Sequence, residues 1–264
     1  MTKFLIIGDI NGKIGRRAVT KILPEWKKKY QPDYTIANAE NIAHGTGVTR
    51  KTLDEVQAAG IDLFTSGNHV WSKPEANEIL EDEDSVLLRP HNYPIGTVGR
   101  GIKVANIGGK NVLVVNLQGQ VFMEEAVNNP FKSFDDIYDQ YHDQVDAILV
   151  DLHCEATSEK VAFGWHVVGR AQAMWGTHTH IQTADERIIR NMAYITDIGM
   201  VGDRDSVIGV NKEVIIDNFI NQTKGHHEIA EKGWAIAEGI VVTIDLDKGQ
   251  AKNIERVRSE IEVK

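Results

Sequence analysis

The chain has little of several features on which small or specialised proteins depend. Its 264 residues include one cysteine, Cys154, so no disulfide can form within the chain and a reducing compartment is expected. No apolar run approaches the roughly 20 residues of a membrane helix. The short apolar start at residues 4–7 is soon followed by Asp9, unlike a signal peptide. We therefore predict a soluble, cytoplasmic protein without a membrane partner.

The sequence also has no excess of basic residues. Its 29 lysines and arginines stand against 38 acidic residues, a net charge of −9 at pH 7. This charge repels nucleic-acid backbones, so no extended nucleic-acid surface is expected, whereas a small anionic substrate at a metal site is compatible with it. Since no linker or repeat interrupts the chain, we predict one domain over residues 1–264. The sequence leaves the oligomeric state open, a homo-oligomer included.

Short apolar, β-branched runs recur along the chain and predict buried strands. They lie at residues 4–7, 34–37, 61–64, 112–115, 147–150, 193–195 and 240–244. The runs are nearly continuous rather than alternating, which is typical of strands covered on both faces.

Segments with helical spacing lie between these runs. Ala18, Ile22 and Trp26 recur every fourth residue, although Pro24 argues against an unbroken helix there. Residues 72–75 have the form of a capping box and predict a helix that runs towards residue 80. Further helices are expected after a Ser133 cap and around residues 216–220. The alternation of strands and helices predicts an α/β fold.

Residues that can bind metal ions follow five of the predicted strands and segments. Taken singly, each has a plain structural explanation as a turn residue, a helix cap or a buried histidine. In an open α/β sheet, however, ligands bind beyond the carboxyl ends of the strands. A metal site explains all of these positions together better than chance does. The residues are Asp9, Glu40, Asn41, Asn68, His69, His153, His178 and His180.

The composition of this set predicts two metal ions. His178 and His180 are two residues apart, so in an extended segment both imidazoles would lie on one face. All the ligands offer oxygen or nitrogen and none offers a thiolate, which suits Fe, Mn, Zn or a mixed pair. The set supplies about seven candidate ligands, more than the ~4 ligands of one tetrahedral ion. Paired ions are the usual machinery for attack on phosphorus.

In order and position these motifs resemble the calcineurin-like metallophosphoesterases. The motifs occupy residues 8–12, 38–41, 67–69, 153 and 176–180. Asn11, Glu40 and Val70 depart from the commonest pattern of that superfamily and resemble its YmdB-like branch, described as 2′,3′-cyclic-nucleotide 2′-phosphodiesterases. The similarity to this branch extends to residues 88–90, 92–94, 116–119, 182–187, 194–197 and 205–209.

The resemblance implies a fold, a ligand set and a reaction. The fold would be a four-layer α/β/β/α sandwich with the active site at the carboxyl ends of the strands. One ion would bind Asp9, Glu40, Asn41 and His180, and the other Glu40, Asn68, His153 and His178, with Glu40 bridging and Asn11 outside the ligand set. The ions would be divalent or trivalent, with iron favoured over Mn, Zn or Mg. A hydroxide held by the ions would open 2′,3′-cyclic nucleotides to 3′-nucleotides, with His69 as proton donor to the leaving oxygen.

Three other interpretations compete with this one. A nucleotide-binding redox enzyme is disfavoured, because the glycine-containing turn at residues 8–15 matches neither phosphate-binding fingerprint. A phosphomonoesterase or protein phosphatase would use the same metal core and stays open. A metal-binding regulatory protein associated with RNA metabolism is less favoured, since a structural metal has no need of a proton donor such as His69.

Overall fold

The computed structural model describes residues 1–223, 225 and 228–264. Within these residues strands and helices alternate, and a long antiparallel hairpin closes the fold. The elements are β1 Thr2–Ile10, α1 Gly12–Tyr30, β2 Tyr34–Asn38, α2 Arg50–Ala58, β3 Leu63–Thr65, α3 Ala76–Glu81, β4 Ile102–Ile107, β5 Lys110–Gln118, α4 Pro130–Tyr141, β6 Ala147–His153, α5 Thr157–Val167, β7 Ala173–Thr177, β8 Arg187–Ile189, β9 Met192–Ile195, β10 Met200–Asp203, α6 Lys212–Asn221, β11 Gly233–Asp245 and β12 Gln250–Val263.

The described strands form two six-stranded sheets. The first has the order β12-β11-β10-β1-β2-β3, in which β10, β1, β2 and β3 run parallel and β11 runs antiparallel to its neighbours. The second has the order β4-β5-β6-β7-β9-β8, in which the four central strands are parallel and both edge strands are antiparallel. Each sheet therefore presents the carboxyl ends of several parallel strands at one edge, where ligands bind in such sheets.

Three hydrophobic clusters join these elements into four layers. Along β1, Leu5 and Ile7 pack with α1, α2 and α3, whereas Phe4 and Ile6 point the other way. The opposite face of the first sheet packs on the second sheet, where Trp175 is among the buried residues. The far side of the second sheet packs against α4 and α5. The alternation of side chains along each strand thus produces the predicted α/β/β/α sandwich.

The helices begin and end at other residues than predicted. α1 continues through Pro24, because its apolar face packs in the core on both sides of the proline. α3 begins at Ala76, so the capping box predicted to start at Ser72 was wrong. α4 begins after Asn129, whose side-chain oxygen accepts bonds from two backbone N–H groups, and Ser133 lies inside the helix. None of the described helices has the length and apolar character of a membrane span.

Candidate metal centre

The carboxyl ends of five strands bring the predicted ligands to one edge shared by both sheets. Asp9 lies near the end of β1, and His153 is the last residue of β6. The others lie in the loops that follow β2, β3 and β7, namely Glu40, Asn41, Asn68, His69, His178 and His180. The side chains of Asp9, Glu40 and His153 are almost completely buried. Residues far apart in the sequence therefore meet in a protected position.

Glu40 lies at the centre of this group. Its Oε2 is 3.1 Å from His153 Nε2 and accepts a 3.2 Å bond from the backbone N–H of His69. Its Oε1 accepts a 3.0 Å bond from Asn41 Nδ2. The backbone N–H of Glu40 donates to the side chain of Asn38, at the end of β2, which fixes the turn. Glu40 thus contacts residues on both sides of the site.

On one side lie Asn68, His153 and His178, which we call the His153 half. His153 Nε2 is 3.2 Å from Asn68 Oδ1 and 3.0 Å from His178 Nδ1. One ligand atom each of Glu40, His153 and His178 lie within 4.8 Å of one another, close enough to hold one ion. The polar atoms of this half are hydrogen-bonded to each other.

On the other side lie Asp9, Asn41 and His180, which we call the Asp9 half. His180 Nε2 is 3.3 Å from Asn41 Nδ2 and 3.8 Å from Asp9 Oδ1. Asp9 Oδ2 accepts a bond from the backbone N–H of His178 at 3.2 Å. Asp9 Oδ1 and Asn41 Oδ1 are buried without a hydrogen-bond partner among the described residues. This half is therefore left unsatisfied by the described part of the protein.

The segment that carries the two histidines is not extended, so that prediction was wrong. His178 and His180 have φ angles of 93° and 63°, in the left-handed region. Between them, the backbone N–H and hydroxyl of Thr179 donate to Asp197, which also forms a buried ion pair with Lys160 at 2.6 Å. These bonds offset the cost of the unusual backbone. The turn directs His178 into the His153 half and His180 into the Asp9 half.

The ring orientation of His153 is set by a chain of hydrogen bonds. Its Nδ1 is 2.9 Å from Thr177 Oγ1, and that hydroxyl donates to Asp151 Oδ1 at 2.8 Å. Because the single hydroxyl hydrogen goes to Asp151, the Thr177 oxygen must accept from His153 Nδ1–H. The Nε2 atom of His153 is thereby directed to the centre, as in histidines that bind metals.

The other two histidines are oriented in the same manner. His178 Nε2 is 3.1 Å from Glu155 Oε2, so the ring donates to this carboxylate and turns Nδ1 to the centre. His180 Nδ1 donates to the backbone carbonyl of Ile208 at 2.8 Å, which turns Nε2 to the centre. Each ring thus keeps one nitrogen available as a ligand.

The charges of the His153 half compensate one another. Burial alone would lower the pKa of His153, but the negative charges of Glu40, Asp9 and Asp151 raise it to about 9. Burial, together with the charge on His153, lowers the pKa of His178 to about 3. Burial would raise the pKa of Glu40, yet the charge on His153 holds that pKa well below its usual range. In the metal-free protein at neutral pH, His153 therefore carries the proton and His178 is neutral.

These residues fit metal ions on structural grounds. A buried oxygen without a partner costs roughly 1–3 kcal/mol, and a cation would satisfy both Asp9 Oδ1 and Asn41 Oδ1. A second cation could replace the proton between His153, His178 and Glu40. The donors are imidazole, amide and carboxylate groups, which suit Fe, Mn or Zn.

A cleft of roughly 830 Å³ opens over the centre. Its walls include Glu40 and His180 from the site, together with the side chain of the half-buried His69. Further polar residues of the wall are His44, Thr46 and Lys73, and the apolar ones include Ile208, Val210 and Ile229. This volume suits a small-molecule substrate.

The residues that orient the candidate ligands were not predicted from the sequence. Asp151 could have been found, because it is an acidic residue within a buried run and shares a strand face with His153, two residues away. Glu155 and Lys160 gave no local signal, and Asp197 lay in a segment that resembles the family, residues 194–197, without a role being predicted for it. Their contacts with the site depend on how β6, α5 and β9 pack.

The fold and this cluster together define the class of calcineurin-like metallophosphoesterases. Within that class, a family described as YmdB-like protein matches residues 5–257. The chain is 42% identical over 256 residues to a Bacillus subtilis protein named 2′,3′-cyclic-nucleotide 2′-phosphodiesterase, covering 97% of this chain and 96% of the relative. The chain belongs to the YmdB-like family.

Two solved structures agree with this assignment. One, a hypothetical protein from Thermus thermophilus, is 35% identical with a TM-score of 0.91, and the match covers 98% of this chain and 99% of that one. The other, described as a novel phosphatase of Mycoplasma pneumoniae, is 34% identical with a TM-score of 0.93, and the match covers 99% and 94% of the two chains. Both matches extend over almost the whole fold.

Proposed function

We propose that the protein is a metal-dependent hydrolase of phosphoric esters that opens 2′,3′-cyclic nucleotides to 3′-nucleotides. The observation that carries the proposal is the convergence of Asp9, Glu40, Asn41, Asn68, His153, His178 and His180 beneath a cleft that fits a small molecule. The name of the Bacillus subtilis relative supports the substrate class. The whole chain, residues 1–264, would act as one domain, since the two sheets share a core, and we place it in the cytoplasm.

In this proposal the two halves of the site bind one ion each. Asp9, Asn41 and His180 would hold the first ion, Asn68, His153 and His178 the second, and Glu40 would contact both. The ligands combine nitrogen and oxygen donors, for which iron is our first candidate and Mn, Zn and Mg are the alternatives. When bound, the ions would lower the pKa of water and neutralise charge on the phosphoryl oxygens.

His69 is proposed to protonate the leaving oxygen. Its backbone N–H is fixed to Glu40 at 3.2 Å, while its side chain lines the cleft beside the ligands. A histidine near the reacting phosphorus that is not occupied as a ligand can give its proton to the departing ribose oxygen. General acid catalysis of this kind is typically worth 10²–10⁴-fold.

A substrate panel tests the proposed function. The metal-stripped protein would be reloaded with Fe, Mn, Zn or Mg and assayed on 2′,3′-cyclic nucleotides, a 3′,5′-cyclic nucleotide, bis-p-nitrophenyl phosphate and simple monoesters. We expect 2′,3′-cyclic nucleotides to give the highest kcat/KM and 3′-nucleotides as products. Turnover of none of these substrates with any of the ions would contradict the proposal.

A phosphomonoesterase is the second candidate function, because a 34% identical structure is described as a phosphatase. The proposed metal centre would bind the phosphoryl group, which monoesters and diesters have in common. The cluster alone therefore does not distinguish between these two classes of substrate. A higher kcat/KM for monoesters in the same panel would replace the phosphodiesterase assignment and leave the proposed metal centre intact.

A further inference from the structure

Ile208 has a backbone conformation that its side chain disfavours. Its φ angle is 47°, in the left-handed region, where β-branched residues are rare outliers. Several hydrogen bonds hold the surrounding turn. The Ser206 hydroxyl donates to the carbonyl of Asp203 and accepts from the backbone N–H of Gly209, and Val207 and Val210 exchange backbone hydrogen bonds. Glycine or asparagine would adopt this conformation more easily. Backbone strain of this kind is concentrated at functional sites.

In this conformation the carbonyl of Ile208 contacts the site while its side chain lines the cleft. Its carbonyl accepts the 2.8 Å hydrogen bond from His180 Nδ1 that orients this histidine in the Asp9 half. Its side chain is 46% exposed and lines the cleft together with Val210 and Ile229. Any residue would supply the carbonyl, so that bond does not explain the isoleucine. The side chain itself adds apolar surface next to the ligands.

We propose that Ile208 is a specificity-determining residue, whose side chain forms the apolar contact for the nucleoside part of the substrate. This inference rests on the proposed function, because it takes the phosphoryl group to bind at the ligand cluster. The hydrogen bond to His180 fixes Ile208 directly beside that cluster. A base attached to the ribose would then meet the wall formed by Ile208, Val210 and Ile229. Exposed apolar surface in such a cleft is typical of a ligand contact.

The test compares a substrate that has a base with one that lacks it. Uridine 2′,3′-cyclic phosphate and the 2′,3′-cyclic phosphate of methyl riboside share the reacting group and the sugar. For Ile208→Ala we expect the KM for the uridine substrate, relative to the baseless one, to rise by roughly 4- to 15-fold, as for the loss of one or two buried methylene-sized contacts. The kcat for the uridine substrate should change much less than its KM.

Two further variants keep the result interpretable. Ile208→Asn adopts the left-handed backbone readily, so it should raise the same KM ratio while its thermal stability is equal to or above that of the unchanged protein. Ile208→Ala and Ile208→Asn both keep the backbone carbonyl that contacts His180 and should therefore bind metal as the unchanged protein does. Ile188→Ala, at an exposed isoleucine on β8 outside the cleft, is the matched control and should leave the ratio unchanged.

The outcomes separate this inference from the proposed function. If the unchanged protein hydrolyses neither cyclic phosphate, the proposed function is wrong and this inference with it. If it hydrolyses both and the KM ratio of Ile208→Ala and Ile208→Asn stays within twofold, the inference alone is overturned. Loss of metal or of thermal stability in Ile208→Asn would also overturn it, because the residue would then serve the fold rather than the substrate.

Discussion

The two halves of the candidate metal centre differ in whether their buried polar atoms are hydrogen-bonded. In the His153 half, Asn68, His153 and His178 are bonded to one another and to Glu40, with a proton on His153. In the Asp9 half, Asp9 Oδ1 and Asn41 Oδ1 have no partner among the described residues. A proton on His153 therefore balances charge in the first half, whereas in the second half burial raises the pKa of Asp9 and two oxygens stay without a partner in the described part of the chain.

This difference has consequences for how the centre assembles. In the proposed centre, an ion would have to displace a proton to bind in the His153 half, whose charges already compensate one another. An ion bound in the Asp9 half would displace no such proton from His153 and would give two buried oxygens a partner. Glu40 contacts both halves, so in the proposed centre it would link their occupancy.

The largest effect should follow from removing the residue that connects the halves. In Glu40→Ala neither half retains its shared carboxylate, so we expect both ions to be lost and turnover to fall by on the order of 10⁴-fold or more. Metal content by elemental analysis, together with kcat, measures this. A variant that keeps two ions would show that Glu40 is not their common ligand.

Removing the proposed proton donor should cost less and leave the ions in place. For His69→Ala we expect kcat to fall by about 10²–10⁴-fold with unchanged metal content, because His69 lines the cleft without belonging to either half. The control is His142→Ala, a partly exposed histidine at the end of α4, which should retain full activity. Near-normal turnover in His69→Ala, or the loss of an ion, would remove His69 from this role.

The metal-free protein should lose stability between pH 6.5 and pH 9. The pKa of His153 is raised from 6.5 to about 9 in the folded state. Its contribution is therefore fully present below pH 6.5 and disappears as the pH rises through about 9. The free energy of unfolding should fall at up to about 1.4 kcal/mol per pH unit in this window, measured by urea denaturation.

Two controls test whether His153 is the group responsible for the pH dependence. His153→Asn removes the titrating group, so its stability should depend much less on pH over the same range. Metal loading displaces the proton and should also flatten the profile. An equally steep profile in His153→Asn would assign the effect to another group.

The smallest effect compares two asparagines, one from each half. Asn41→Ala removes an unsatisfied oxygen together with the 3.0 Å bond from Nδ2 to Glu40 Oε1, so the metal-free protein should lose less stability than it would from the loss of a fully bonded side chain. Asn68→Ala removes a hydrogen bond to His153 and should cost about 1–3 kcal/mol. Denaturation of both metal-free variants measures the difference. Equal losses would mean that the two halves do not differ as described.

The sequence predicted the strands of the sandwich better than their arrangement. The apolar runs at residues 4–7 and 147–150 lie inside β1 and β6, because burial on both faces leaves a local pattern. Nothing local shows that β1 and β6 belong to different sheets whose edges meet. The four-layer arrangement was available only through the resemblance to a known family.

The same distinction holds for the site. The convergence of candidate ligands could be predicted, because Asp9, Glu40 and His153 lie at or just beyond the ends of buried strands. The left-handed turn at His178 and His180 could not, since it is held by Lys160 on α5 and Asp197 after β9. Contacts between residues so distant in the chain leave no periodic signal in the sequence.

A crystal structure of the metal-loaded protein, with anomalous scattering to locate the ions, would show whether both halves of the site bind metal. We expect two peaks, one contacted by Asp9, Asn41 and His180 and the other by Asn68, His153 and His178, with Glu40 reaching both. A single peak, or ions bound away from these side chains in a protein that is active on phosphodiesters, would contradict this expectation.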